Sequence, residues 1–365
     1  MSGPVGVGII GAGVISGQYL EHLMTYPDVR VLFVADLDTG RAARQAAAFG
    51  VPGWGTVEEL LAQPDVEIVV NLTIPAAHID VSLAILDAGK HVWSEKPIGL
   101  DLAGAGVLVS RADELGLRFG VAPDTTLGSG VQTALRAIRR GDIGRPLSAL
   151  TLMQSPGPDL WHPSPDFLFQ AGGGPVLDMG PYYLSALVHT FGSVARVQAV
   201  GHRAHESRSI RTGPRAGERF AVTEPTSVAM LLDFAGGTFG VSHFSFDSPL
   251  SRNGFLEVTG TEATIAFPDP NQFGGSPVLT TAGGEKRELP VDAGGQGRGL
   301  GVVDLARVIR GAGQLQASGA LGLHVLDVMI SSLRSLATRE AVAPSTEAPA
   351  IPPLDESWDA RVATL

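Results

Sequence analysis

Over the first 120 positions, short runs of consecutive apolar residues alternate with longer stretches in which apolar positions recur at helical spacing. Val5–Gly13 (VGVGIIGAG) predicts a buried strand ending in glycines, and Ser16–Tyr26 a helix. Val29–Asp36 predicts a second strand, and Arg41–Gly50 a helix closed by glycine. Val66–Thr73 predicts another strand, followed by a helix ending at Gly89 and then the stretch HVWSEKP. Continuously apolar strands between helices call for a parallel sheet covered on both faces. The pattern then changes. Residues 148–154, 193–205, 226–246, 254–267 and 276–281 are strand-like with glycine turns between them, and residues 299–311 and 320–338 form amphipathic helical patterns. The proline-rich stretch 343–358 predicts an extended surface segment.

A chain of 365 residues exceeds the usual size of one core, so two domains are expected, residues 1–123 and 124–365. The last helices and the tail are candidates to pack back on the first of these. With 44% apolar residues the chain can bury a sizeable core. A formal charge of −11 argues against nucleic acid as a partner, which needs clustered positive charge. The absence of cysteine excludes disulfides, thiolate metal sites and a cysteine nucleophile. No H-E-x-x-H or Cys/His cluster occurs, so no metal is expected. No basic residues open the N-terminus, and no apolar run approaches the ~18 residues that a bilayer requires. A soluble cytoplasmic protein without a membrane partner is the expectation.

Gly11–Ser16 (GAGVIS) is a G-x-G-x-x-S variant of the dinucleotide fingerprint, set between a strand and a helix. Gly11 permits the tight turn, Gly13 lets the backbone approach a pyrophosphate, and Ser16 is small enough for close helix–strand packing. Val14 and Ile15 open the helix whose unpaired N–H groups would face the phosphates. Asp36, at the end of the second strand, can accept hydrogen bonds from both ribose hydroxyls and would repel a 2′-phosphate, which favours NAD over NADP. Asp38 is the competing acidic residue, and a turn or helix cap is the alternative role for either.

Three further stretches carry a family resemblance: Asn71–His78 (NLTIPAAH), Ser94–Gly99 (SEKPIG) and Gly172–Leu184 (GGGPVLDMGPYYL). Together they make the chain resemble the glucose–fructose oxidoreductase / inositol 2-dehydrogenase / MocA superfamily over nearly its whole length. The resemblance implies an α/β fold: an N-terminal Rossmann domain, then a C-terminal α/β domain with a large, mostly antiparallel open sheet. It also implies a homodimer or homotetramer formed through that sheet. Lys96 is implied as the catalytic lysine, whose ammonium stabilises charge on the reacting oxygen. Many relatives carry D-x-x-x-H where this chain has Asp178 and Tyr182. Tyr182 thus stands in the place of the proton-transferring histidine, with Asp178 orienting substrate and lysine. Pro181 argues for a helix that starts at Met179 or later, leaving Asp178 near its cap. Tyr183 would point elsewhere and pack in the core.

Thr73, Ile74, Pro75 and His78 sit where the family's third cofactor-binding strand ends, and Glu95 precedes the lysine; His78 is equally suited to capping the next helix. Asp124 and Thr125 occupy positions where relatives often have asparagine and arginine, and the missing arginine favours a neutral, hydroxyl-rich substrate. Gln154, Trp161 and His162 are candidate substrate contacts, with Trp161 alternatively a core residue. Residues 202–219 are locally basic and are read as a loop or subunit-interface segment, since no aromatics are interleaved for nucleic acid. The expected activity is hydride transfer between NAD(P) and a secondary alcohol or ketone of a sugar, sugar derivative or cyclitol. The alternatives are an NAD-dependent glycoside hydrolase of the same superfamily and a non-catalytic dinucleotide-sensing regulator.

Overall fold

A computed structural model describes residues 3–291 and 297–365. The chain forms two compact units. The first takes the chain as far as Gln132, a later return ending at Leu323, and Ile351–Leu365; the second takes Thr133–Val291 and His324–Ala350. The units are therefore interleaved along the sequence, with a later helical segment and the tail grouped with the first unit.

In the first unit, strands β1 (Val5–Ile10), β2 (Val29–Ala35), β3 (Gly53–Gly55), β4 (Ile68–Asn71), β5 (His91–Ser94) and β6 (Phe119–Val121) make a parallel sheet ordered β3-β2-β1-β4-β5-β6. Helices α1 (Val14–Leu23), α2 (Thr39–Phe49), α3 (Val57–Leu61), α4 (His78–Asp87) and α5 (Leu102–Glu114) alternate with the strands. All of β1 and β4 is buried, as a sheet covered on both faces demands. The strand order reverses between β1 and β4, and the crevice beyond their carboxyl ends is where such sheets bind ligands.

Helix α6 (Ser129–Arg140) leads into the second unit. Its sheet joins β7 (Pro146–Gln154), β8 (Val194–His202), β11 (Ser227–Phe234), β12 (Phe239–Ser245), β13 (Arg252–Gly260), β14 (Ala263–Ala266), β15 (Val278–Thr281) and β16 (Lys286–Glu288), ordered β16-β15-β14-β13-β7-β12-β11-β8. Only the β7–β12 pair is parallel. A separate hairpin pairs β9 (Ser207–Ser209) with β10 (Arg219–Ala221). Helix α7 (Gly174–Phe191) packs on the sheet face bearing Phe244, against which the Tyr183 ring stands edge-on at 5.5 Å.

Helix α7 departs from the expected start at Met179: it begins five residues earlier and runs through Pro181. Proline in a helix interior removes one hydrogen bond and costs about 3 kcal/mol. Here Val176, Tyr183, Leu184, Ala186 and Leu187 are all fully or almost fully buried. Each large side chain so buried contributes about 1.5–3 kcal/mol, so packing outweighs the proline.

Helix α8 (Leu300–Ile309) belongs to the first unit, where Arg307 donates from Nε to buried Asp28 (2.8 Å) and from Nη2 to the carbonyls of Asp359 and Val362 in the tail. Helix α9 (Gly319–Thr338) is long and apolar enough, by length and composition, to cross a membrane, yet more than half of it is buried in the fold. Its polar residues serve as internal anchors: His324 binds the Val194 N–H, Asp327 accepts from Ser345 and Thr346, and Ser335 accepts from the Ala199 N–H.

Candidate active site

The first unit carries the dinucleotide half. Gly11 leaves β1 at φ +102°, and a Cβ there would lie 2.6 Å from the Leu72 carbonyl oxygen, so only glycine makes this turn. A Cβ on Gly13 would meet nothing within 4 Å, and no side chain caps the N-terminus of α1. That open cradle at a helix N-terminus fits a pyrophosphate. Ser16 is fully buried and accepts from the Gln45 amide (3.0 Å), which ties α1 to α2. Asp36 accepts from the Ala12 N–H at 2.7 Å and from the Asp38 N–H at 2.9 Å. It thereby braces the glycine turn, while Asp38 caps α2 through the Arg41 N–H. The Arg41 guanidinium lies 3.7 Å from Asp36. Val14, Leu37 and Ile74 are exposed large apolar residues just beyond the ends of β1, β2 and β4, and they offer apolar surface to a bound nucleotide.

Lys96 follows β5 and precedes Pro97 through a cis peptide bond. Glu95 fixes this turn: one carboxylate oxygen accepts the Lys96 N–H (3.0 Å), the other the Tyr19 hydroxyl (2.8 Å). Tyr19 in turn accepts from the Trp93 indole at 3.1 Å. Burial pushes the Tyr19 phenol well above its usual range, with Glu95 and Asp124 adding to the shift, so it stays a neutral donor. Sequence reasoning missed Tyr19 and Trp93, because neither sits in a motif.

His78, expected either at the cofactor or as a cap of the next helix, is buried behind the strand end. Its ring is 1% exposed, with Nδ1 2.7 Å from the Pro97 carbonyl and Nε2 3.1 Å from the Thr73 carbonyl. Burial holds its pKa below the ordinary histidine value, against the pull of those two carbonyls. A neutral imidazole has one N–H, and the shorter contact marks Pro97 as its acceptor. Behind it, Asn71 accepts from the Thr73 N–H and hydroxyl and donates to the His78 carbonyl and Ser82. The ring thus joins the strand end of Thr73, Ile74 and Pro75 to the lysine turn, as a positioning residue. His78→Leu is expected to lower kcat about tenfold. His78→Asn, whose amide reaches the Nδ1 position, should recover most of that loss. Steady-state kinetics beside melting curves check this; equal losses in two equally stable variants would remove the role.

Asp124 also departs from expectation. It is fully buried, accepting the Gly299 N–H (2.7 Å) at the start of α8 and an Arg298 nitrogen (3.1 Å), and burial raises its pKa. A carboxylate held in this way anchors a helix and leaves no face for substrate.

The second unit carries Asp178 and Tyr182 on α7, four residues apart and so on one helix face about 5–6 Å apart at Cβ. Asp178 is half-buried and Tyr182 is 5% exposed. Tyr183, on a different face, accepts the Gly254 N–H at 2.8 Å and is a core residue. Trp161 is 68% exposed, which excludes a core role, and stands edge-on to His162, which stands edge-on to Phe167. This aromatic row borders the start of α7, because a Cβ on Gly173 would lie 2.4 Å from the Phe167 carbonyl oxygen. Gln154 does not join the group. On β7 it follows Met153, which faces the core, and its side chain binds Arg252 and His243. Those contacts lie on the sheet face opposite to α7, since alternation along β12 turns His243 away from Phe244. Among the described residues no His/Cys/Asp/Glu group could hold a metal ion.

Residues 5–122 match the model of an oxidoreductase family with an NAD-binding Rossmann fold, and residues 131–266 match the GFO/IDH/MocA C-terminal domain. The chain is 30% identical over 290 residues to trans-1,2-dihydrobenzene-1,2-diol dehydrogenase of Mus musculus, covering 78% of this chain and 79% of that protein. It is 27% identical over 342 residues to 1,5-anhydro-D-fructose reductase of Ensifer adhaerens, covering 92% and 97%. Among solved structures, an NAD binding oxidoreductase from Klebsiella pneumoniae superposes with a TM-score of 0.82 at 24% identity, covering 94% of this chain and all of that one.

Proposed function

The chain belongs to the Gfo/Idh/MocA oxidoreductase family, and from that membership we propose that it moves a hydride between NAD and a ring-borne secondary alcohol or ketone of a sugar, sugar derivative or cyclitol. The observation that carries the reading is the pair Asp178 and Tyr182, one turn apart on α7, in a chain that also holds Lys96 in a braced turn. The relatives named above, a dehydrogenase of a ring diol and a reductase of an anhydro-ketose, support a substrate of this kind.

Gly11, Gly13, Val14, Ile15, Asp36, Thr73, Ile74 and Pro75 would hold the dinucleotide, which when bound supplies the hydride acceptor or donor. The Lys96 ammonium faces the reacting oxygen and lowers the cost of negative charge there. The Tyr182 hydroxyl gives that oxygen a proton in reduction and takes it in oxidation. Asp178 orients a neighbouring substrate hydroxyl. Trp161 and His162 offer an aromatic and polar wall to a sugar ring. Incubation with NAD or NADP and a panel of glucosides, inositols and keto-sugars, followed by reduced-nicotinamide absorbance, tests the reading; no turnover across the panel in either direction would overturn it.

Asp36 is assigned the ribose hydroxyls and therefore the preference for NAD. A charge-assisted hydrogen bond contributes about 1.5–3 kcal/mol. Asp36→Ala is accordingly expected to narrow the ratio of kcat/KM for NAD over NADP by at least about tenfold, with Arg41 left as the nearest cation for a 2′-phosphate. An unchanged ratio would withdraw the assignment.

A further inference from the structure

The basic stretch 202–219 has no part in the chemistry above, yet it builds a cavity of its own. It is an open depression of about 450 Å³ on the second unit, lined from this stretch by His205, Ser207, Arg208, Ser209 and Arg211. Ser207 and Ser209, two apart on β9, share one face of that strand. Across the hairpin, Arg219 pairs in register with Ser209 and lines the same space.

The charges around this cavity are unequally spent. Its two carboxylates, Asp159 and Asp247, both belong to Arg208, whose side chain is 10% exposed and whose guanidinium lies over the Phe169 ring at 5.0 Å. Arg208 also donates to the carbonyls of Pro156 and Phe246, so its terminal nitrogens are fully engaged. Elsewhere in the stretch, Arg215 pairs with Asp166 and Glu218, and Arg203 binds the Val222 carbonyl. Arg211 and Arg219 differ. Both are exposed, neither pairs with a carboxylate among the described residues, and Arg219 meets only the Ser207 hydroxyl. Three arginines against two carboxylates leave the lining positive in a chain of net charge −11.

We propose that this cavity binds the phosphate or pyrophosphate group of a small molecule, with Arg211 and Arg219 gripping the oxyanion and Ser207 and Ser209 donating to it. Planar guanidinium forks match phosphate oxygens, and charge-assisted bonds of this kind are about twice as strong as neutral ones. The depression is open to solvent and has room beyond a bare phosphate, so the oxyanion can belong to a larger molecule. It is either a phosphorylated substrate or a separate phosphorylated ligand.

The test is calorimetric titration of inorganic pyrophosphate into protein saturated with NADH, which blocks the dinucleotide cradle. Saturable one-to-one binding is expected, weakened at least about tenfold in the Arg211→Gln/Arg219→Gln variant and by added salt. No binding up to about 10 mM, or equal binding by the double variant, would overturn the proposal. Both arginines are exposed, so the variant keeps its core, and a melting curve checks this. Inhibition kinetics separate the sources: competition with the sugar substrate assigns the phosphate to the substrate, and any other pattern assigns it to a second ligand. The binding measurement needs no turnover, so it fails or succeeds independently of the roles given to Lys96 and Tyr182.

Discussion

Replacing Lys96 with methionine is expected to lower kcat by about 10³-fold while NADH affinity changes less than about threefold. Methionine keeps the unbranched apolar stem of lysine as far as the ε position and removes the ammonium with its charge and three donors. Removing a single group that stabilises charge on a reacting oxygen costs about 10²–10³ in other enzymes, and a full cation belongs at the upper end. The surrounding turn should survive, because Glu95 holds the Lys96 backbone N–H and His78 holds the Pro97 carbonyl. Rate measurements in both directions, with NADH binding followed by fluorescence, check the split. A variant that turned over within about tenfold of the parent would remove the lysine from the reaction.

Tyr182→Phe is expected to cost about 10²–10⁴ in kcat, the range for loss of a general acid or base. The change deletes one oxygen from a ring that is 5% exposed, so the fold should persist. Tyr183→Phe is the internal control. It deletes the acceptor of the Gly254 N–H in the core and is expected to lower stability by about 1 kcal/mol with turnover intact. Opposite outcomes for these adjacent residues would separate proton transfer from packing. If Tyr183→Phe lost turnover and Tyr182→Phe kept it, the assignment within the pair would be reversed.

The sequence announces the first unit because its physics is local. A strand buried on both faces is a run of apolar residues, and the turn after it needs glycine where Gly11 approaches the Leu72 carbonyl. The Asp178–Tyr182 spacing is legible for the same reason, since helix periodicity puts residues four apart on one face. What could not be read is how distant segments divide the polar work. Asp124 and Gly299 are far apart in sequence, and only the fold shows that the carboxylate is spent on a helix start. His78 follows its strand as a cofactor contact would, but two carbonyls from different loops claim its ring. Gln154 sits one residue from the core-facing side of β7, and that single step of alternation puts it on the wrong face of the sheet. The start of α7 was hidden differently. Local proline chemistry argues for a late start, whereas burial along eighteen residues of helix overrides it.

The proposed reaction rests on Lys96 and Tyr182 both acting on the carbon–oxygen bond of the substrate. A crystal structure of the protein with NADH and a bound keto-sugar or polyol measures this directly. Lys96 Nζ and Tyr182 Oη are both expected within hydrogen-bonding reach of the reacting oxygen, about 2.6–3.2 Å. A bound substrate whose reacting oxygen is met by neither group, or by the lysine with the tyrosine turned into the core, would contradict it.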